Sequence, residues 1–219
     1  KGKFYYVAPA YPIIFAAGGV MFERLTRLQR ARWIRPAYAA VLFAFCALLA
    51  PTVIPVLSVP HYIAYTHVLG IQQPKFENQP QSELPQIYAD MMGWENRVKI
   101  KAAYYHSLPP ALQKVTAIGA PNYGEAGAVD LFGPRYGLPP AISDANNYWI
   151  WGPRQYTGES IILMDEDSPE KYQRMCRSLT LVAHPVDPYS RPDETWPIYH
   201  CVGLSPGLQQ LWPLLKPWK

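Results

Sequence analysis

Two short stretches of this 219-residue chain carry side chains suited to chemistry. The first is Asp144-Ala145-Asn146-Asn147-Tyr148-Trp149-Ile150-Trp151-Gly152-Pro153, which places two Trp, one Tyr and two Asn within six residues. Flat aromatic faces beside amide donors and acceptors suit a polar ring such as a sugar. The same residues equally well form a cluster that packs a loop on its domain while the indole N–H groups find partners. The second is Ala120-Pro121-Asn122-Tyr123-Gly124-Glu125-Ala126-Gly127, a turn between a strand candidate and a helix candidate. Bare amides at a helix N-terminus can hold an anion or a sugar hydroxyl. Alternatively, Asn122 caps the helix and the glycines let strand and helix approach closely. No G-x-G-x-x-G and no phosphate-loop lysine is present, which favours the cap.

The remaining reactive residues do not assemble into a self-sufficient catalytic constellation. The run Asp165-Glu166-Asp167 follows a strand candidate and suits a cation or a solvated turn before a helix N-terminus. His61, His67, His106, His184 and His200 are scattered without metal-ligand spacing. There is no G-x-S-x-G elbow, and no cofactor is implied. Cys46 falls in an apolar run. Cys176 and Cys201 fall outside the apolar runs, where a disulfide between them can form in an oxidising compartment.

The elements that must position these residues fall into two parts. Phe4 to Phe22 holds 19 residues without a charge, and Ala37 to Val59 holds 23. At about 1.5 Å per residue the first is roughly 28 Å long, close to a hydrocarbon thickness of about 30 Å. Pro9 and Pro12 sit in its first turns, where proline is tolerated; Pro51 and Pro55 should kink or end the second run. The connector ERLTRLQRARWIRP has five Arg against one Glu. Short Arg-rich loops stay cytoplasmic, so residues 61–219 are expected outside. A signal peptide would have an apolar core of about 7–15 residues and no second span. The chain is therefore expected to be the C-terminal part of a larger membrane protein, with residues 1–60 as two transmembrane helices, 61–82 as a polar linker and 83–219 as an external domain.

The external domain reads as α/β, a mixed or largely parallel sheet covered by helices. Ile87, Met91, Trp94, Val98, Ala102 and Tyr105 recur at helical spacing and predict one long helix over 83–107, stopped by Pro109-Pro110. Strands are expected at 115–119, 141–143, 160–164, 179–183 and 198–202. Helices are expected at 128–132, at 169–177 after Ser168 as N-cap, and at 208–215. Residues 1–60 carry seven basic residues and one acid, while residues 61–219 carry 13 basic and 15 acidic. The basic excess thus sits at the membrane, and nothing points to nucleic acid as a partner.

The stretch Gly2-Lys3-Phe4-Tyr5-Tyr6-Val7-Ala8-Pro9-Ala10-Tyr11-Pro12 resembles a motif of bacterial GT-C membrane glycosyltransferases. These are relatives of the dolichyl-phosphate-mannose protein mannosyltransferases and the aminoarabinose transferases. The likeness extends through Leu84-Pro85-Gln86, Ala89 to Glu95, Asn122 to Ala128, Asn146 to Pro153 and Trp212 to Lys216. It implies transfer of a sugar from a polyprenyl-phosphate donor to an acceptor on the outer side of a bacterial inner membrane. It places Lys3 at the donor phosphate, with the Tyr6 hydroxyl assisting. The acidic catalytic residue of such enzymes lies in a first external loop that this sequence does not contain, so no catalytic residue carries over. Glu125, Asn146, Asn147, Tyr148, Trp149 and Trp151 become candidate contacts to a sugar or acceptor. The competing expectation is a membrane-tethered binding or scaffold module without catalysis.

Overall fold

The computed structural model describes residues 4–71, 82–165, 169–191 and 195–215. The chain divides into two compact units, residues 1–78 and 79–219.

In the first unit, a 3-10 segment over Phe4–Ala10 leads into α1, Tyr11–Leu25, and α2 spans Ile34–Val53. Neither helix buries a residue. The helical stretches Tyr6–Leu25 and Gln29–Val53 are long and apolar enough to cross a membrane. The connector is tied back on itself. The Thr26 hydroxyl donates to Phe22 O at 2.8 Å and accepts from Arg35 Nε at 2.8 Å. The Phe22 and Tyr38 rings meet at 4.9 Å. The second run ends at its prolines as expected: α2 carries Pro51 in its last turn and stops at Val53, before Pro55 and short of the expected Val59. Residues 59–68, expected within a span end and a linker, form a third helix, α3, Val59–Val68, with proline in its first turn. The Tyr65 hydroxyl of α3 donates to Leu48 O of α2 at 2.6 Å.

The second unit begins with a correction. The single helix expected over 83–107 is two, α4, Gln86–Ala89, and α5, Trp94–Ser107, separated by Gly93 at φ +79°. A Cβ at Gly93 would lie 2.5 Å from Arg97 Nη1 and 2.7 Å from Ser190 Oγ. Only glycine combines that left-handed backbone with that clearance. Val98, Ala102 and Tyr105 are buried as the helical stripe requires, whereas Ile87 and Met91, beyond the break, are exposed.

The rest follows as α6, Pro110–Gln113; β1, Thr116–Ile118; α7, Tyr123–Phe132; α8, Asn147–Trp151; β2, Ser160–Met164; α9, Pro169–Met175; β3, Cys176–Ala183; β4, Ile198–Leu204; and α10, Leu208–Leu211. The strands form a mixed sheet in the order β1-β2-β4-β3, with only β1 and β2 parallel. The strand expected at 141–143 is a single parallel bridge between Ile142 and Gly119. β3 starts three residues earlier than expected and α9 ends two earlier, because Cys176 is bonded to Cys201 of β4, with Cα atoms 5.5 Å apart. The expected N-cap Ser168 lies outside the described residues.

All five residues of β2 are buried, as a central strand covered on both faces must be. On one face Ile118, Ile162, Met164 and Ile198 pack under α5 and α7. On the other, Ala117, Ile161, Leu163 and Tyr199 pack with Trp149, Leu208 and Trp212. The Cys176–Cys201 bond closes a loop of 25 residues. Replacing both cysteines by serine should lower stability by about 3 kcal/mol, read from urea unfolding monitored by Trp fluorescence; a loss below about 1 kcal/mol would remove the bond from the list of major supports.

Candidate functional site

The turn before α7 is a capping structure. Asn122 Oδ1 accepts from Glu125 N at 2.9 Å, satisfying one of the free amides of the first turn. Gly124 lacks a Cβ where the Trp94 ring, at 3.1 Å, would meet one. Glu125 points inward and is 2 % exposed. Its Oε1 lies 2.6 Å from Arg97 Nε and its Oε2 3.4 Å from Lys101 Nζ. Arg97 and Lys101 are one helical turn apart on α5, and both are fully buried. The Arg97 guanidinium also lies over the Trp94 ring at 4.6 Å. Burial pushes the Lys101 pKa down, and the Glu125 carboxylate opposes that shift. The carboxylate expected at a sugar is thus engaged by two cations of α5.

The aromatic stretch is split by its own packing. The Tyr148 hydroxyl donates to Asp130 Oδ2 at 2.9 Å, and Asp130 Oδ1 accepts from Ala141 N at 2.7 Å. Burial first, and then Asp130, pushes the Tyr148 phenol up to about 12. Trp149 and Trp212 exchange bonds: Trp149 Nε1 donates to Trp212 O at 3.0 Å, and Trp212 Nε1 donates to Trp149 O at 2.9 Å. Tyr148 and Trp149 therefore hold α8 against opposite faces of the domain. Asn146 adopts φ +50° and is half-buried, while Asn147 and Trp151 are exposed. The carboxylate of α7 that meets this stretch is Asp130, not Glu125. No sequence signal singled Asp130 out, because its partners are brought to it by the fold.

A crevice of about 260 Å³ opens where β1, β2 and the Ile142 bridge end. Its wall is mainly apolar, with Leu208, Leu211 and Trp212, and its polar members include Ser143, Asp165 and Tyr172. The Tyr172 hydroxyl donates to Asp165 Oδ2. Crevices outside the carboxyl ends of parallel strands are the usual ligand positions of α/β sheets. Of the acidic run expected to suit a cation, Glu166 and Asp167 lie outside the described residues. Among the described residues no cluster of three metal-ligating side chains forms.

A buried polar chain crosses the opposite face. Thr116 Oγ1 donates to Leu112 O at 2.7 Å, and pairs with Ser160 Oγ at 2.7 Å. Ser160 Oγ meets His200 Nε2 at 2.9 Å, and His200 Nδ1 meets the Tyr104 hydroxyl at 3.0 Å. Each hydroxyl has one proton. Because that of Thr116 goes to Leu112, Ser160 must donate to Thr116 and accept from His200 Nε2–H. Tyr104 then donates to Nδ1. An imidazole that donates to Ser160 cannot act as its base, so this Ser–His contact is a structural clamp on a neutral histidine. Burial lowers the His200 pKa accordingly.

Tyr6 is exposed at 66 % on the 3-10 segment leading into α1; Lys3 and Lys216 lie outside the described residues. Searches with this chain against family models, curated proteins and solved structures return no match.

Two predictions follow from the buried polar groups. Glu125→Ala should cost about 3–5 kcal/mol by leaving two buried cations unpaired, measured by urea unfolding; a cost below about 1 kcal/mol would contradict the packing. The unfolded chain protonates histidine below about 6.5 while folded His200 stays neutral, so stability should be complete above that pH and fall as pH drops toward the lowered value. His200→Gln, which keeps one donor and one acceptor, should flatten that slope in pH-dependent unfolding.

Proposed function

We propose that this chain is the C-terminal part of a multi-pass glycosyltransferase, one that transfers a sugar from a polyprenyl-phosphate donor to an acceptor on the outer side of a bacterial inner membrane. What supports the reading is the sequence stretch Gly2 to Pro12 together with a helical stretch, Tyr6–Leu25, long and apolar enough to cross a membrane. In this reading the Arg-rich connector is cytoplasmic, and Lys3 with Tyr6 holds the donor phosphate as a compact cation and a hydroxyl donor. The α/β domain is periplasmic, and its exposed Asn147 and Trp151 serve acceptor contacts. The catalytic acid belongs to another part of the enzyme.

The crevice at the strand ends favours a second reading, a tethered binding module without catalysis. The two separate on one experiment. In the full-length protein Lys3→Ala should raise the donor KM about tenfold or more, the value of one charge-assisted bond of ~1.5–3 kcal/mol, with expression unchanged. Unchanged donor kinetics would reject the phosphate role, and no transfer by the intact protein would reject the enzyme.

A further inference from the structure

A second concave feature adjoins the crevice, with which it shares Met175 and Leu204, where β3 begins and β4 ends. A hollow of about 410 Å³ is lined by Arg174, Arg177, Gly203 and Ser205, and no carboxylate lines it. Arg174 closes the last turn of α9 and Arg177 is the second residue of β3. Both are exposed, and among the described residues neither makes an ion pair or hydrogen bond. Glu159, whose carbonyl accepts from Gly203 N at 2.8 Å, forms an ion pair with neither.

The arginines are held in place by rigid chain. Between them Cys176 is bonded to Cys201, and Met175 O accepts from Ser205 N at 2.7 Å. Cys176 is also paired with Leu204 across the β3–β4 ladder. Gly203 has φ +69°, and a Cβ there would stand 2.9 Å from both Arg177 Nε and Nη2. Glycine thus lets the guanidinium lie over the strand backbone. Two arginines on a fixed backbone, with no carboxylate lining the hollow between them, form a like-charged pair that an anion relieves.

We propose that this hollow binds a phosphate-type oxyanion, shared between Arg174 and Arg177 with the Ser205 hydroxyl as an additional donor. A tetrahedral anion has enough oxygens to accept from two guanidinia at once, whereas one planar carboxylate is matched by a single arginine fork. The anion is either the headgroup of an acidic phospholipid or a free phosphate. This inference holds whether or not the chain takes part in sugar transfer.

The test uses the full chain in phosphatidylcholine nanodiscs, with binding of inorganic phosphate followed by its ³¹P line width at constant ionic strength in chloride. Broadening should appear with the native chain and weaken about tenfold or more in affinity in the Arg174→Gln/Arg177→Gln variant. Arg174→Lys/Arg177→Lys should recover part of it. Near-UV circular dichroism identical to that of the native chain establishes that the variants fold. Nanodiscs of equimolar phosphatidylcholine and phosphatidylglycerol separate the sources: reduced phosphate binding identifies a lipid headgroup, and unchanged binding identifies free phosphate. No broadening with the native chain, or equal broadening with the glutamine variant, would overturn the proposal.

Discussion

Among the described residues, α1 and α2 bury no side chain, and most of their apolar groups face outward. Ile13, Phe15, Val41 and Phe43 are each more than two-thirds exposed. Left in water, each would forfeit the ~1.5–3 kcal/mol that burial of such a side chain supplies. Both helical stretches are long and apolar enough to cross a membrane, and a helix closes its backbone bonds within the segment as a hydrocarbon solvent demands. The Arg-rich connector between them is tied to the helix ends through Thr26 and Arg35.

The second unit meets the opposite problem, which is how to bury charge. Arg97 and Lys101 leave water almost completely and share one carboxylate, Glu125. Such an arrangement is a poor source of net stability, yet breaking it is costly. It therefore fixes how α5 and α7 lie on the sheet more than it strengthens the fold. It also removes Glu125 from the list of groups facing a ligand. The neutral chain from Tyr104 through His200 to Thr116 works alike on that face, with every proton assigned a place.

The apolar spans were legible in the sequence because lipid imposes a length and a lack of charge that composition reveals directly. The cap at Asn122 was legible because capping is local. Gly93 was not: a glycine inside a helical pattern costs only about 1 kcal/mol and is commonly tolerated, and its necessity here comes from Arg97 and from Ser190, far along the chain. The burial of Arg97 and Lys101 was not legible either, since it depends on Glu125, which lies 24 positions beyond Lys101. The α3 helix was hidden by its mixed content of His, Tyr and Thr. The Cys176–Cys201 pairing, left open by sequence, required only proximity, which β3 and β4 provide. The aromatic stretch suited both ligand and core; the structure assigns Tyr148 and Trp149 to packing and leaves Asn147 and Trp151 to solvent.

The functional proposal depends on which side of the membrane each part occupies. In a background with Cys46→Ser, single cysteines at Gln29 in the connector and at the exposed Val186 in the α/β domain can be probed with a membrane-impermeant maleimide. The measurement is labelling in sealed vesicles of each orientation. Residues 29 and 186 should label in opposite vesicle preparations, with 186 reactive from the outer side. Labelling of both positions from the same side would contradict a membrane-crossing α2, and with it the placement of the α/β domain opposite the arginine-rich connector.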